Sequence, residues 1–343
     1  MPEKAWAYYS SAADDEITHR ENHAAYQRIW FRPRVLRDVT KVDWSTTILG
    51  QKSSMPVYIT ATALGKLGHP EGELNLTRAA AKFGVIQMIP TLASCSFDEI
   101  RDAAAPDQVQ FMQLYALRSS LITRLTPLHS SYVNKDRAIT KKIVQHAEKR
   151  GIKGLFITVD APQLGRREKD MRQKFEDEGS EVQRGSSGVD RSQGAARAIS
   201  SFIDPGLSWR DLDWFKSITK MPIILKGVQC WEDAVLAAEC GCAGVVLSNH
   251  GGRQLDTARS GIEVLEEVVS ALRERGLFPN PNFEIFVDGG VRRATDVLKA
   301  VAMGATAVGV GRPFIYAYSA YGQQGVEAAL QILNLKQLRI GRI

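Results

Sequence analysis

The chain has 343 residues, 44% of them hydrophobic, and a formal net charge of +6 at pH 7. Its length is compatible with two domains or with one α/β barrel. The basic residues are spread among the acidic ones rather than grouped, which argues against a nucleic-acid-binding surface. The sequence contains no apolar run of about 18 residues, so no membrane span is predicted.

The first 50 residues are polar and aromatic, and they predict an N-terminal extension of helix and loop before the main fold. The segment starting Met1-Pro-Glu-Lys lacks the pattern of a signal peptide. Four cysteines fit a reducing compartment, and the spacing of Cys240 and Cys242 does not suit zinc, so no metal is expected. We therefore expect an intracellular, soluble protein of the mitochondrion or the cytoplasm, without a targeting signal in this chain.

From Met55 onwards, short apolar runs alternate with helical patterns. The predicted strands are Pro56–Ala61, Val85–Ile89, Val109–Leu114, Leu155–Val159, Ile223–Lys226, Val245–Leu247, Glu284–Val287 and Ala307–Val310. The predicted helices are Glu71–Phe83, Asp136–Arg150, Leu212–Thr219, Trp231–Glu239, Ile262–Arg275, Ala294–Met303 and a last one that begins near Tyr318. Apolar strands between amphipathic helices favour a parallel sheet covered on both faces. Eight such units favour a closed (β/α)₈ TIM barrel, with an open doubly wound sheet as the alternative.

Two segments interrupt this alternation within what we interpret as a single domain, residues 1–343. Residues 166–201 are charged and glycine-rich, which predicts a flexible, lid-like loop after the fourth strand of the barrel. Residues 116–132 stand where a short turn is expected, and we interpret them as an atypical insert.

Functional groups in such barrels collect at the carboxyl ends of the strands. The predicted ends are polar or small: Thr62-Ala63, Thr91-Leu92, Gln113 to Tyr115, Thr158 to Asp160, Lys226, Ser248 to His250, Asp288 to Gly290 and Gly311-Arg312. The opposite ends are mostly ordinary apolar and glycine connections. This asymmetry favours the barrel and predicts the position of the site.

The stretch from Ser248 to Asp256 reads Ser-Asn-His-Gly-Gly-Arg-Gln-Leu-Asp. His250 is a candidate base with Asp160 as its supporting carboxylate, although a lone histidine is more often structural. Arg253 is suited to bidentate binding of a substrate carboxylate. These three residues predict a site that moves a proton beside a bound anion.

A phosphate site is predicted at the last two strands. Asp288-Gly-Gly-Val-Arg292 and Gly309-Val-Gly-Arg312 combine loop amides, a helix start and arginines, which is the usual phosphate-binding arrangement of barrels. Turn glycines with surface arginines are the plainer interpretation. Lys226 is predicted to point into the barrel mouth, where it can stabilise a developing anion.

The stretch from Ser248 to Asp256 resembles the active-site signature of the FMN-dependent 2-hydroxy acid oxidases and dehydrogenases, the family of glycolate oxidase and L-lactate dehydrogenase (cytochrome). Further matches, in the family's order, are Ala5–Ser10, His19–Asn22, Thr158–Pro162, Leu164–Glu168, Leu225–Val228, Asp288–Arg293 and Gly311–Pro313. Within the family, the flavin domain of the fungal-type L-lactate dehydrogenases (cytochrome) is most similar. That likeness rests on Ala61–Leu64, Thr91–Cys95 and Ser192–Ala195.

The resemblance implies a role for each matching residue. The implied catalytic residues are His250, Asp160, Tyr115, Arg253 and Lys226. The implied substrate contacts are Tyr8, Tyr115, Arg167, Arg253, His250, Leu92 and Ala63. The implied FMN contacts are Ala61, Thr62, Ala63, Gln113, Thr158, Lys226, Ser248, Asp288, Gly289, Gly290, Arg292, Gly311 and Arg312.

The resemblance also implies an activity: FMN-dependent oxidation of an (S)-2-hydroxy acid, with L-lactate and pyruvate as the favoured substrate and product. Electrons pass through FMN to a separate cytochrome or to oxygen, and a homotetramer is expected. The alternatives are a glycolate-type oxidase that produces hydrogen peroxide and a catalytically impaired FMN-binding relative. Another FMN barrel, such as a flavin isomerase, has no reason to carry His250, Arg253 and Tyr8 together.

The chain departs from the family pattern at four places, and one of them is the N-terminus, which begins just before the Tyr8-Tyr9 motif without the usual preceding helix. Pro90 stands where relatives usually have a serine that hydrogen-bonds FMN, so one flavin contact is expected to be missing. The insert makes Tyr132 a rival of Tyr115, which we favour because it directly ends a strand. Residues 334–343 do not continue the family's helical pattern, so a truncated C-terminus is expected.

Overall fold

The computed structural model describes residues 1–38, 40–115, 134–173 and 203–334. Eight of its strands are β3 (Val57–Ile59), β4 (Ile86–Ile89), β5 (Gln110–Leu114), β6 (Leu155–Thr158), β7 (Ile223–Val228), β8 (Gly244–Leu247), β9 (Glu284–Asp288) and β10 (Ala307–Val310). Neighbours in this order pair in parallel, and β10 pairs with β3 to close the barrel. The (β/α)₈ prediction is therefore confirmed, and an open sheet is excluded.

Helices follow the strands around the outside. They are α3 (Leu74–Phe83), α4 (Phe97–Asp102), α5 (Asn134–Lys149), α6 (Glu168–Met171), α7 (Leu212–Ile218), α8 (Trp231–Glu239), α9 (Gly261–Glu274), α10 (Ala294–Ala302) and α11 (Arg312–Leu333). The short helices α4 and α6 were not predicted. Within the described ranges, no helix is both long enough and apolar enough to cross a membrane.

The interior of the barrel is filled by apolar side chains. Successive residues of a strand point to opposite faces, so every second residue enters the barrel. The inward-facing side chains are Tyr58, Ile86, Met88, Phe111, Phe156, Ile224, Val246, Phe286 and Ala307, which form one buried cluster. The strand residues between them, such as Val57 and Ile157, belong to a second cluster that includes the helices. The next inward position of each strand therefore lies one layer nearer its carboxyl end.

The N-terminal extension is more structured than predicted. Two helices, α1 (Glu3–Ser10) and α2 (Ile17–Gln27), precede an antiparallel hairpin of β1 (Thr46–Ile48) and β2 (Gln51–Ser53). The prediction of helix and loop missed this hairpin, whose Ile48 joins the apolar cluster inside the barrel. The amide of Leu49 donates to the Glu284 carboxylate at 2.9 Å, at the first residue of β9. The hairpin therefore covers the amino-terminal end of the barrel.

The last helix begins at Arg312, earlier than the expected start near Tyr318. Gly311 is its N-cap, and Pro313 lies in its first turn, where the fixed φ of proline favours a helix start. Tyr321 and Gly322 have non-helical dihedral angles, which kink the helix.

Several predictions concern residues outside the described ranges. The insert at 116–132, with Tyr132, lies outside the described residues, as do residues 174–201 of the proposed lid region and residues 335–343 of the C-terminus. The described beginning of the lid region contains Arg167 and helix α6.

Candidate active site

A ring of polar side chains lies directly above the apolar interior. Because side chains two residues apart on a strand share a face, each inward apolar residue predicts the position of the next inward one. Phe111 is followed by Gln113, Phe156 by Thr158, Ile224 by Lys226, Val246 by Ser248 and Phe286 by Asp288. All five polar side chains are buried. They form the floor of the site.

A cavity of about 1160 Å³, including its opening to solvent, lies above this floor. The predicted residues that line it are Tyr8, Ala61, Thr62, Ala63, Leu92, Gln113, Tyr115, Thr158, Arg167, Lys226, His250, Arg253, Asp288, Gly289, Gly290, Arg292, Gly311 and Arg312. The structure thus brings together every predicted site residue except Asp160 and Ser248, which contact His250 and Lys226 from behind.

Lys226 is a buried cation on the cavity floor. Its Nζ lies 3.1 Å from Oδ2 of Asp288 and donates to Oγ of Ser248 at 3.0 Å. Ser248 in turn donates to Oδ1 of Asp288 at 2.6 Å. Burial acts to lower the pKa of Lys226, but the carboxylates of Asp288 and Asp160 outweigh it and raise the pKa. The ammonium group therefore remains charged at the floor of the site.

Gln113 and Thr158 form a second polar pair on the floor. Gln113 Nε2 donates to the Thr158 hydroxyl at 2.8 Å, and its Oε1 accepts from the amide of Thr91 at 3.2 Å. The Thr91 hydroxyl donates to the Gln113 carbonyl at 2.7 Å and accepts from the amide of Tyr115 at 3.1 Å. The orientations of the Gln113 amide and the end of β5 are therefore fixed.

His250 stands between a carboxylate and a phenol. Its Nδ1 lies 3.0 Å from Oδ1 of Asp160, and its Nε2 lies 3.2 Å from the hydroxyl of Tyr115. Burial lowers the pKa of His250 by more than the Asp160 charge raises it. Burial acts to raise the pKa of Asp160, but the charge and hydrogen bond of His250 outweigh it and lower that pKa. The ground state is a neutral imidazole beside an ionised carboxylate, which is the form that accepts a proton.

The backbone of His250 also supports a functional role. It has a φ of +59°, a left-handed conformation that is uncommon for a residue other than glycine. Such conformations persist where the surrounding structure holds them, often at functional sites. Here the amide of His250 donates to the Ser248 hydroxyl at 3.1 Å.

Two guanidinium groups face the same part of the cavity. Arg253 Nη1 donates to the carbonyls of Tyr8 at 2.7 Å and Ser11 at 3.0 Å, and its Cζ lies 4.9 Å from the centre of the Tyr8 ring. Arg167 is 2% exposed. Its burial and the nearby Arg253 lower the pKa of Arg167 to about 9. This mutual repulsion is relieved by an anion, so the pair is suited to a carboxylate ligand.

The predicted phosphate end combines glycines with the start of α11. Gly289 and Gly290 have φ values of +89° and +81°. A Cβ on Gly290 would lie 1.9 Å from the carbonyl oxygen of Asn22, so only glycine fits beneath α2. The positive end of α11, a helix of 22 residues, faces the same cavity through Gly311 and Arg312. Amides at such a helix start are a ready anion site.

The two arginines at the phosphate end differ. Arg312 donates to the carbonyls of Tyr9, Ser11 and Gly251, each at 2.8 Å. Its side chain therefore fastens the N-terminal segment to the loop after β8, and its main chain supplies the helix start. Arg292 is exposed, and its described side-chain bond goes only to the neighbouring Val291 carbonyl at 3.2 Å. Its remaining donors are therefore available to an anion.

The prediction missed four polar cavity residues: Tyr9, His19, Asn22 and Thr60. Thr60 is two residues after the inward-facing Tyr58, so the two-residue period could have found it. The other three come from α1 and α2. These are helices, so a search of the strand ends does not find them. Burial and the nearby Arg312 lower the pKa of His19 to about 4, so its imidazole is neutral.

These residues fit FMN. The Thr60 hydroxyl is buried without a hydrogen-bond partner among the described residues, which suits a polar ligand. The cavity combines a buried ammonium group on the floor, glycine-rich loops at one end and four arginines, whereas Asp288 is the only carboxylate that lines it in the described part of the chain. The ligand is therefore expected to be an anion. We expect Lys226, Gln113 and Thr158 to bind the flavin ring system, and the glycines and the start of α11 to bind the phosphate.

Comparison with known proteins agrees with this geometry. The family described as "FMN-dependent dehydrogenase" matches residues 1–338. The chain is 58% identical to an L-lactate dehydrogenase (cytochrome) of Wickerhamomyces anomalus, over all of this chain and 57% of that protein. It is 53% identical to the L-lactate dehydrogenase (cytochrome) of Saccharomyces cerevisiae, over 97% of this chain and 54% of that protein. The chain thus spans about half the length of these curated relatives.

A plant relative and a solved structure extend the comparison. Glycolate oxidase 3 of Arabidopsis thaliana is 41% identical over 97% of this chain and 86% of that protein. The recombinant flavin-binding domain of baker's yeast flavocytochrome b2 superposes with a TM-score of 0.83 at 51% identity, over 97% of this chain and 76% of that chain. The barrel, the anion-binding cavity and these relatives lead to one conclusion: the chain belongs to the family of FMN-dependent dehydrogenases, and its cofactor is FMN.

Proposed function

We propose that the protein oxidises an (S)-2-hydroxy acid to the 2-keto acid, with L-lactate and pyruvate as the favoured substrate and product. The observation that carries the proposal is the arrangement of His250 between Asp160 and Tyr115, beside the guanidinium groups of Arg253 and Arg167. A 2-hydroxy acid offers the matching groups on adjacent carbons: a carboxylate for the arginines and a hydroxyl for the imidazole.

The residues divide the work as follows. Arg253 and Arg167 bind the substrate carboxylate, with the hydroxyl of Tyr8 as a further donor. The hydroxyl of Tyr115 hydrogen-bonds the substrate hydroxyl group close to Nε2 of His250. This arrangement converts proton transfer into a reaction between groups held in place, which is a large part of catalysis.

His250 accepts a proton from the substrate at Nε2. The resulting imidazolium is stabilised by the carboxylate of Asp160, 3.0 Å from Nδ1. Such general-base catalysis contributes typically about 10²- to 10⁴-fold. Bound FMN supplies the two-electron oxidant for the conversion of the alcohol to the ketone.

The wall formed by Ala63 and Leu92 supports a small substrate. Both residues line the cavity, and the amide of Leu64 donates to the carbonyl of Leu92 at 3.1 Å, which joins their two loops. We propose that these side chains contact the methyl group of L-lactate. The relatives named as L-lactate dehydrogenases (cytochrome) support this substrate.

The electron acceptor is proposed to be a separate cytochrome or oxygen. The similarity to a glycolate oxidase makes an (S)-2-hydroxy acid oxidase that forms hydrogen peroxide the second candidate function. Purified protein supplied with L-lactate and either cytochrome c or oxygen distinguishes the two. Pyruvate formed with reduction of the cytochrome supports the dehydrogenase, whereas stoichiometric hydrogen peroxide supports the oxidase. If no pyruvate forms with either acceptor, an impaired FMN-binding protein becomes the better interpretation.

Two further proposals concern assembly and location. We propose a homotetramer, which sedimentation analysis of the purified protein tests directly. We also propose an intracellular location, either mitochondrial or cytoplasmic. The four cysteines, Cys95, Cys230, Cys240 and Cys242, are free thiols, which is compatible with a reducing compartment.

A further inference from the structure

Gln254 occupies a position in the loop after β8 that the proposed mechanism does not use. Its Nε2 donates to the carbonyls of Asp160 at 2.9 Å and Gln163 at 3.1 Å. Its Oε1 accepts from Nη2 of Arg167 at 3.1 Å and from the amide of Gly165 at 3.3 Å. An amide side chain has two N–H donors and one oxygen with two lone pairs, so all of its hydrogen-bonding capacity is used.

All four partners of Gln254 lie in one short segment, residues 160–167, between β6 and α6. Nε of Arg167 also donates to the Arg253 carbonyl at 3.1 Å, so this segment is fastened twice to the loop after β8. A Cβ on Gly165 would lie 2.3 Å from the Gln254 carbonyl oxygen and 2.5 Å from that of Arg253. The two main chains are therefore in direct contact, and the side chains of Gln254 and Arg167 join them.

This junction lies beneath both functional pairs of the site. Asp160 is held at two points, because its carboxylate contacts His250 while its main-chain carbonyl accepts from Gln254. Arg167 is held against the repulsion of Arg253 by the Gln254 oxygen and the Arg253 carbonyl. Without the Gln254 side chain, Asp160 and Arg167 would each lose one of the two contacts that hold them in place.

We infer that Gln254 is a positioning residue, which sets Asp160 against His250 and Arg167 beside Arg253 for the reaction proposed above. This inference rests on the proposed function. The two ends of the Gln254 amide have different roles. The Nε2 donors position the carboxylate behind the base, and the Oε1 acceptor positions the arginine that faces the substrate.

Two variants separate these roles. Gln254→Glu keeps the shape and the acceptors for Arg167 and Gly165 but replaces the N–H donors to Asp160 and Gln163 by oxygen. We expect kcat to fall roughly 10- to 100-fold, because small misplacements of catalytic groups have effects of that order. The KM for L-lactate should stay within about threefold, since a charged acceptor still holds Arg167.

Gln254→Leu removes both functions at similar volume. We expect the same loss of kcat together with a roughly tenfold higher KM, as the loss of a charge-assisted hydrogen bond predicts. The acid limb of the pH profile should also move to lower pH, because a displaced Asp160 no longer favours the imidazolium form of His250. Leu255→Ala is the matched control, since Leu255 is the next residue and 73% exposed. Its kinetics should equal those of the parent.

The measurements use the FMN-loaded protein, with flavin content checked by absorbance, and include binding of oxalate as a non-reacting anion. Parent-like kcat, KM and acid limb in both variants would overturn the inference, even if thermal stability falls. If Gln254→Leu does not fold, Gln254→Glu alone tests the inference. A lower kcat at an unchanged KM would support it, and a parent-like kcat would overturn it. If the parent binds oxalate but oxidises no 2-hydroxy acid, the proposed function fails. The inference then still predicts roughly tenfold weaker oxalate binding in Gln254→Leu, and equal binding would overturn it.

Discussion

Nδ1 of His250 lies 3.0 Å from the carboxylate of Asp160, although the two residues are 90 positions apart in the chain. The barrel explains this proximity, because each residue follows the carboxyl end of a strand, β6 or β8, at the same end of the barrel. The pair makes the pH dependence of turnover a sensitive test of the proposed roles.

The acid limb of kcat/KM is expected below the ordinary histidine pKa of 6.5, because burial lowers the pKa of His250. The base must be neutral, so activity falls as the pH falls through this pKa and is level at neutral pH. Asp160→Asn removes the charge that favours the imidazolium, so the limb should move to still lower pH while kcat falls about 10²-fold or more. A pH series of both proteins checks this, and a limb that moves upward would contradict the assigned pair.

Arg253→Lys is expected to raise the KM for L-lactate roughly 10- to 100-fold, in line with about 1.5–3 kcal/mol for a hydrogen bond to a charged group. Both short bonds of Arg253 use Nη1, so Nε and Nη2 can bind a carboxylate, and lysine does not reproduce that fork. Steady-state kinetics measure the effect. Arg259→Lys is the control in the same loop, because Arg259 pairs with Glu267 at the surface. Equal KM values for the two variants would count against the carboxylate role.

Tyr115→Phe is expected to lower kcat about tenfold or more, because the phenol that lies 3.2 Å from Nε2 of His250 is removed. Tyr132→Phe is the comparison, since Tyr132 is the rival candidate from the insert. Turnover of the two variants is measured at saturating L-lactate. A parent-like Tyr115→Phe with an impaired Tyr132→Phe would transfer the role to Tyr132.

Two glycine variants test the packing of α2 under the phosphate end. Gly276→Ala introduces a side chain at a φ of +68° with open space around it, so only backbone strain of about 1–2 kcal/mol is expected. Gly290→Ala has a similar φ of +81°, but its Cβ would lie 1.9 Å from the Asn22 carbonyl. It should lower stability clearly more and weaken FMN retention. Urea midpoints and flavin content after gel filtration check this, and equal midpoints would contradict it.

The alternation of strand residues accounts for the polar floor of the cavity. An inward-facing residue such as Phe286 places Asp288 two positions later on the same face, so the polar floor follows from strand period alone. The same rule reaches Thr60, which the prediction missed. It does not reach Tyr9, His19 or Asn22, because these residues enter the cavity through tertiary packing of α1 and α2 on the barrel.

The barrel closure was also predictable, while two details of the fold were not. Ile48 belongs to the barrel interior only because a short hairpin folds under it, and three-residue strands carry too little pattern to be recognised. The role of Gln254 depends on partners about 90 residues earlier, including Asp160 and Gln163. No local pattern indicates such a contact.

In the proposed mechanism, His250, Arg253 and their neighbours deliver a 2-hydroxy acid to FMN for oxidation. Anaerobic titration of the purified, FMN-loaded protein with L-lactate tests this most directly, followed by flavin absorbance near its visible maximum. We expect bleaching in the parent with one pyruvate formed per flavin, and no bleaching on the same timescale in His250→Gln with flavin still bound. A parent that binds flavin but keeps its absorbance with L-lactate, glycolate and larger (S)-2-hydroxy acids would contradict it.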